Sequence, residues 1–116
     1  MNKLRLDVRF FTTLRDGEPV RDWLKHLSPE DKKTIGEDIK TVQLGWPLGM
    51  PIVRKMEADL WEVRITLKNR IARILFTVDG NSMVLLHGFI KKSDKTPTND
   101  IELARKRLKT LQEAKK

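Results

Sequence analysis

From Leu4 to Phe11 apolar and charged residues alternate, with Leu4, Leu6, Val8 and Phe10 set against Arg5, Asp7 and Arg9. A pleated chain points successive side chains to opposite sides, so this alternation predicts a half-buried strand near the start. The period then changes. Asp16-Gly17-Glu18-Pro19 reads as a turn, and Val20, Trp23, Leu24 and Leu27 follow at helical spacing. Ser28 ahead of Pro29-Glu30-Asp31 is a helix start, because its hydroxyl can satisfy an orphan amide and proline suits the first helical position. That helix uses Ile35, Ile39 and Val42, and Gly45 is expected to close it in a left-handed conformation. The two helices read as a hairpin. Between Trp46 and Pro51, two prolines and a glycine exclude regular structure.

Strands return after this loop. Val53 to Glu57 is a short candidate, and Leu60–Leu67, Ile71–Val78 and Ser82–Ile90 are long alternating runs. Lys68-Asn69-Arg70 and Asp79-Gly80-Asn81 are the turns between them, Asp-Gly being a favoured hairpin pair. A terminal helix begins near Thr96-Pro97 or Thr98, with Ile101, Ala104, Leu108 and Leu111 on its inner side. No repeat or linker interrupts the 116 residues, so residues 1–116 are expected to form one α+β domain. Its helices are expected on one face of a sheet of four to five strands.

Splitting each strand into its two faces gives the functional lead. One set reads Trp61, Val63, Ile65, Leu67; then Ala72, Ile74, Phe76, Val78; then Val84, Leu86, Gly88, Ile90. That set is the expected core. The opposite face collects Arg64, Arg73, His87, Phe89 and Lys91, with Glu62 beside Arg64 as a possible ion-pair partner. Side chains sharing a face of neighbouring strands lie roughly 5–8 Å apart. Clustered cations repel, and an anion such as phosphate relieves the repulsion, while a ring offers a base a stacking surface. His26 sits on a helix surface and reads as structural, and Trp23 and Trp61 have core spacing.

Charge adds to this picture. The net charge is +8, of which +5 falls in the last 26 residues, whereas residues 1–53 nearly balance. A localised basic excess suits a polyanion such as RNA. The chain has no cysteine, which removes disulfides, thiolate chemistry and cysteine-held zinc together. No apolar run approaches the roughly 20 residues of a membrane span, and Met1 to Phe11 alternates charged and apolar residues unlike the hydrophobic region of a signal peptide, so a cytoplasmic protein without membrane contact is expected. Converging carboxylates or histidines for a metal are not apparent either, Asp59 and Glu62 being the candidates on one strand, so the expected chemistry uses no metal or cofactor.

Those residue types fit RNA cleavage through the ribose 2′-hydroxyl. The reaction needs a proton acceptor, cations for the charge developing on phosphorus, and a donor for the leaving 5′ oxygen. Histidine titrates near neutrality and arginine forks onto phosphate.

Leu60-Trp61-Glu62-Val63-Arg64, Arg70-Ile71-Ala72-Arg73-Ile74-Leu75-Phe76 and Leu85-Leu86-His87-Gly88-Phe89-Ile90-Lys91-Lys92 together resemble the phage-derived, HigB-like branch of the RelE/ParE toxin superfamily. Asp16-Gly17, Thr96-Pro97 and Ile101-Glu102-Leu103-Ala104 extend the resemblance over residues 5 to 110. It implies a RelE-like, microbial-ribonuclease architecture whose sheet has a mixed edge. It also implies the toxin of a toxin–antitoxin pair, an endoribonuclease cutting mRNA on the ribosome without a metal and so inhibiting translation. A cognate helix-turn-helix antitoxin would hold it inactive and carry the complex to operator DNA. By position, Arg73 matches the arginine that holds the scissile phosphate, Arg64 that of the preceding strand, and His87 and Lys91 the last-strand motif. Arg54, Lys55, Arg70, Phe89, Lys92 and Lys95 are the further expected RNA or ribosome contacts. RelE has a tyrosine near its active site, and this chain contains none, so proton transfer falls to His87, a lysine or a ribosomal group. Relatives that poison gyrase by binding, and inactive co-repressors, are the alternative functions within the superfamily.

Overall fold

The computed structural model describes residues 5–91 and 96–115. In chain order the elements are β1 (Asp7–Phe10), α1 (Pro19–Lys25), α2 (Pro29–Gly45), β2 (Val53–Glu57), β3 (Leu60–Leu67), β4 (Arg70–Asp79), β5 (Ser82–Lys91) and α3 (Thr98–Glu113). The strands form one sheet in the order β1-β5-β4-β3-β2. β1 lies parallel to β5, and every other pair is antiparallel, which gives the α+β architecture a mixed edge. The expected elements are all present, with ends displaced by a few residues. β1 is shorter than the alternation suggests, and Leu4 falls outside the described residues.

Local chemistry explains the helix and turn positions. The Ser28 hydroxyl accepts from the Asp31 amide at 3.1 Å, and Pro29 occupies the first turn of α2. Gly45 does not adopt the expected left-handed conformation. It remains in the helix, and Trp46 caps it with φ −54° and ψ 136°. A Cβ on Gly45 would lie 3.1 Å from Leu48, so close packing of the loop, rather than backbone handedness, accounts for glycine there. Left-handed residues occur at the hairpins instead, at Asp59, Asn69 and Gly80, and at Asp16 in the turn before α1.

The helices do not share one face. α1 and α2 cover one side, where Val20, Ile35, Ile39 and Val42 meet Val63, Ile65, Ile74 and Phe76. α3 packs on the other side, where Ala104 and Leu108 meet Leu60, Leu75, Val84 and Leu86. The expected one-sided arrangement is therefore replaced by a sheet between two apolar layers. The reason is visible in β5, where a bulge pairs Leu75 with His87 but Phe76 with Leu85. One extra residue reverses the alternation. Before the bulge, Met83 and Leu85 join the α1/α2 core, and Val84 and Leu86 join the α3 layer, opposite to the assignment from simple alternation. Beyond it, Ile90 packs with the main core and Phe89 with the α3 layer, as expected.

Two features fix the main layer next to the site. Trp46, Trp61 and Phe76 form an aromatic cluster with centroid separations of 5.1, 5.7 and 6.1 Å. Trp23 of α1 packs against Gly88, where a Cβ would approach its ring carbons to 2.5 Å. Glycine at 88 is what lets α1 close on β5.

Candidate functional site

Strand register builds the site. Arg64, Arg73 and Phe89 lie side by side across β3, β4 and β5, on the α3 side of the sheet. The adjacent row is Arg54, Glu62, Leu75 and His87, from β2 to β5. The sheet thus brings Arg54, Arg64, Arg73, Phe89 and His87 onto one face. Lys91 follows Phe89 on that face, opposite Ile71.

Arg73 is not an exposed cation. Its side chain is 4% exposed and its Nη1 donates to Glu62 Oε1 at 2.8 Å, Glu62 being 3% exposed. The same Nη1 donates to Thr96 Oγ1 at 2.7 Å, and the Thr96 hydroxyl donates onward to Glu62 Oε2 at 2.6 Å. This closed triangle fixes the Arg73 Nη1 group against the carboxylate. Glu62 thereby serves Arg73, its diagonal neighbour on β4, and not Arg64, its neighbour along β3. Arg54 and Arg64 are exposed. They line a small recess of about 30 Å³ together with Arg73, Glu62, Met50 and Pro51. Three guanidinium-bearing residues and one carboxylate therefore converge, and the buried pair leaves Arg54 and Arg64 as the outer charges. A second groove, about 390 Å³, continues from Arg64 past Thr66, Pro51 and Ile52 to Asp38. Burial, and then the neighbouring Glu37, pushes the Asp38 carboxyl above its ordinary range.

His87 stands one residue pair along β5 and belongs to a different network. Its Nε2 lies 2.5 Å from Asp100 Oδ1, and its Nδ1 lies 3.4 Å from Arg107 Nη1. Arg107 also donates to the Leu86 carbonyl at 2.8 Å, at the bulge, and burial pulls its guanidinium below its usual value. The imidazole stacks on Phe89 at 5.6 Å with an interplanar angle of 20°. Both ring nitrogens of His87 thus face α3, and the Phe89 ring is engaged by the histidine.

Two expected contacts lie elsewhere. Lys55 is on the opposite face of the sheet, its Nζ 5.8 Å from the Trp61 ring centroid. Arg70 pairs with Asp31 at the start of α2, at 2.6 Å, also on the helical-hairpin side. Lys92 and Lys95 fall outside the described residues. Among the described residues no three His, Cys, Asp or Glu side chains converge as a metal site, and no helix is long and apolar enough to cross a membrane.

Residue patterns alone left out Thr96, Asp100, Arg107 and Met50. The first three reach the site because α3 docks on the face that alternation left open, a tertiary event without a local signal. Glu62 was legible as a neighbour of the arginines, but strand phase does not say which of them it would choose.

A family model described as phage derived protein Gp49-like (DUF891) matches residues 22–109. The chain belongs to the Gp49-like family. That family lies among the RelE/HigB-like toxins. The matched span runs from α1 into α3, so the arginine recess and the His87–Asp100–Arg107 network both lie within the Gp49-like region. No curated protein matches the chain.

Proposed function

We propose that this Gp49-like protein is the toxin of a toxin–antitoxin pair and cleaves mRNA as a ribosome-dependent endoribonuclease. The observation that carries the reading is the recess in which Arg54, Arg64 and Arg73 converge around one carboxylate. Arg54 and Arg64 grip the non-bridging oxygens of the scissile phosphate, and Arg73, fixed by Glu62 and Thr96, supplies an immobile positive charge behind them. Fixed donors stabilise a developing charge without reorganising at the moment of reaction.

Glu62 is the carboxylate of the recess, but Arg73 and Thr96 occupy its two oxygens, so the 2′-hydroxyl proton passes to a base that the ribosome supplies. The 2′ oxygen then bonds to phosphorus, the P–O5′ bond breaks, and the 5′ oxygen takes a proton to leave as a hydroxyl. His87 is the donor on the same face, and it serves once its Nε2 exchanges Asp100 for the leaving oxygen. The products are a 2′,3′-cyclic phosphate and a 5′-hydroxyl end. The cognate antitoxin, a helix-turn-helix protein as the resemblance implies, restrains the toxin in this reading, and the basic second half of the chain provides the charge for ribosomal RNA.

The test is inducible expression in bacteria with mapping of mRNA 5′ ends, beside cleavage on purified ribosomes in EDTA. Arg64→Ala should slow cleavage about 100-fold, the loss typical of removing one charge-stabilising donor. Intact mRNA during growth arrest, or undiminished cleavage by Arg64→Ala, refutes the reading. A second reading, a toxin that acts by binding a protein, is favoured by a different surface. There Leu14, 93% exposed, borders a groove of about 360 Å³ lined by Phe11, Leu103 and Lys106. Induction of DNA-damage signalling with intact mRNA would select it.

A further inference from the structure

The loop between α2 and β2 is anchored by its apolar residues, with one exception. Trp46, Leu48 and Ile52 pack against the main core, and the Val53 amide donates to the Gly49 carbonyl at 3.1 Å. Ile52 itself accepts from the Arg64 amide at 2.9 Å, which ties the end of the loop to β3. Met50 departs from this pattern. It is 65% exposed, and it lines the recess shared by Arg54, Arg64 and Arg73. Leu14 and Leu44, the other exposed large apolar residues among those described, are not part of the recess.

An apolar side chain held in water beside a cluster of cations has an evident complement. A nucleotide presents a flat ring next to its phosphate, and a methionine thioether makes favourable, polarizable contact with such a ring while its three torsions adapt to the ring's position. We propose that Met50 is a base-contacting residue, covering one face of the nucleobase attached to the phosphate held in the arginine recess. The inference rests on the recess being the RNA-phosphate site and extends it from charge to base. A thioether has no strong hydrogen-bond donor or acceptor for base edges, so the contact accepts all four bases, and purines, with the larger ring area, gain most.

The experiment measures binding by fluorescence anisotropy, with uncleavable 2′-O-methyl oligoadenylate set against an abasic oligomer of equal length. The wild-type chain should bind the base-bearing oligomer about fivefold more tightly, within the range of a single base-stacking contact. Met50→Ala should abolish that difference and leave affinity for the abasic oligomer unchanged, whereas Met50→Leu should retain part of it. Arg54→Ala and Arg64→Ala should weaken both oligomers alike. A base-dependent difference that survives in Met50→Ala overturns the proposal while leaving the phosphate site standing. Wild-type chain that binds neither oligomer, or binds both undiminished after the arginine substitutions, removes the phosphate reading and this proposal with it. Thermal melts of the Met50 variants check that an exposed loop substitution has left the fold intact.

Discussion

The Arg73–Glu62 pair sets a trap for the obvious mutational test of the site. With side chains 4% and 3% exposed and a 2.8 Å contact, each charge relies on the other for solvation. Charge centres roughly 4 Å apart at an effective dielectric near 20 attract by about 4 kcal/mol. Removing the cation of such a pair typically costs about 3–5 kcal/mol, because the Glu62 carboxylate then stays buried without its guanidinium. A domain of this size is held by about 5–15 kcal/mol in total, so Arg73→Met alone should take away a large share of it, and Glu62→Leu should also destabilise the fold. The double variant should be nearly neutral, since replacing both charges by apolar groups restores a consistent interior. Urea unfolding of the four proteins gives the coupling, expected at about 3 kcal/mol or more, with unchanged m-values confirming a comparable transition. Additive costs, or single variants each losing under about 1 kcal/mol, would refute the picture of a dry, mutually dependent pair. The cycle also isolates chemistry from folding. A folded double variant that still cleaved RNA would exclude Arg73 and Glu62 from the reaction, which inactivity of Arg73→Ala alone could never establish.

Gly88→Ala should destabilise the chain by about 1–3 kcal/mol or more, read as a lowered melting temperature, because the new methyl group runs into the Trp23 ring at 2.5 Å; an unchanged melt would mean that α1 is not held as described. Hydrogen bonding to Arg105 holds Glu57 below the ordinary carboxylate range, and hydrogen bonding to Lys115, with Arg9 assisting, does the same for Asp79. A lowered folded-state value contributes stability above the unfolded-state value that is lost as pH falls, so these ties of α3 to the sheet should release below about pH 4.5 for Glu57 and pH 3.8 for Asp79. Both carboxylates are exposed enough for the effect to be modest and weakened by salt, and Glu57→Gln with Asp79→Asn should flatten the acid limb of the stability curve. Asp38 behaves in the opposite sense: its raised value means that ionisation costs stability at neutral pH, so Asp38→Asn should raise the urea midpoint there, and a lower midpoint would show an unrecognised ion pair. Asp100→Ala, which frees His87 Nε2, should speed amide hydrogen exchange in the first turns of α3, and no change would mean that the contact bears no part of helix docking.

Much of the architecture could be read from local pattern because local pattern is where its causes lie. Period two delimited β3 and β4, period 3.6 with a Ser-Pro start delimited α2, and Asp-Gly marked the last hairpin. The face shared by Arg64, Arg73, His87 and Phe89 follows from the same periodicity, and the pairing registers bring it together. What escaped has non-local causes. In β5 both alternations are apolar, so Met83 and Leu85 carried no mark of having exchanged sides with Val84 and Leu86. That concealed the bulge, and with it the apolar seat for α3. Nor could spacing foretell that Thr96 would complete the Arg73–Glu62 contact or that Asp100 would hold the imidazole, since one arrives just ahead of α3 and the other from its first turn, and α3 packs across the sheet. Arg70 shows the converse: as a basic residue in a turn it invited a role with RNA, but the buried Asp31 carboxylate claims it.

The parallel junction of β1 with β5 has a temporal consequence. Asp7 sits opposite Ser82, so β1 finds its place only after α1, α2 and three further strands have been made and β5 has followed them. Contacts that join distant parts of a sequence form late and slowly. A growing chain therefore carries a sheet without its parallel edge until β5 is available.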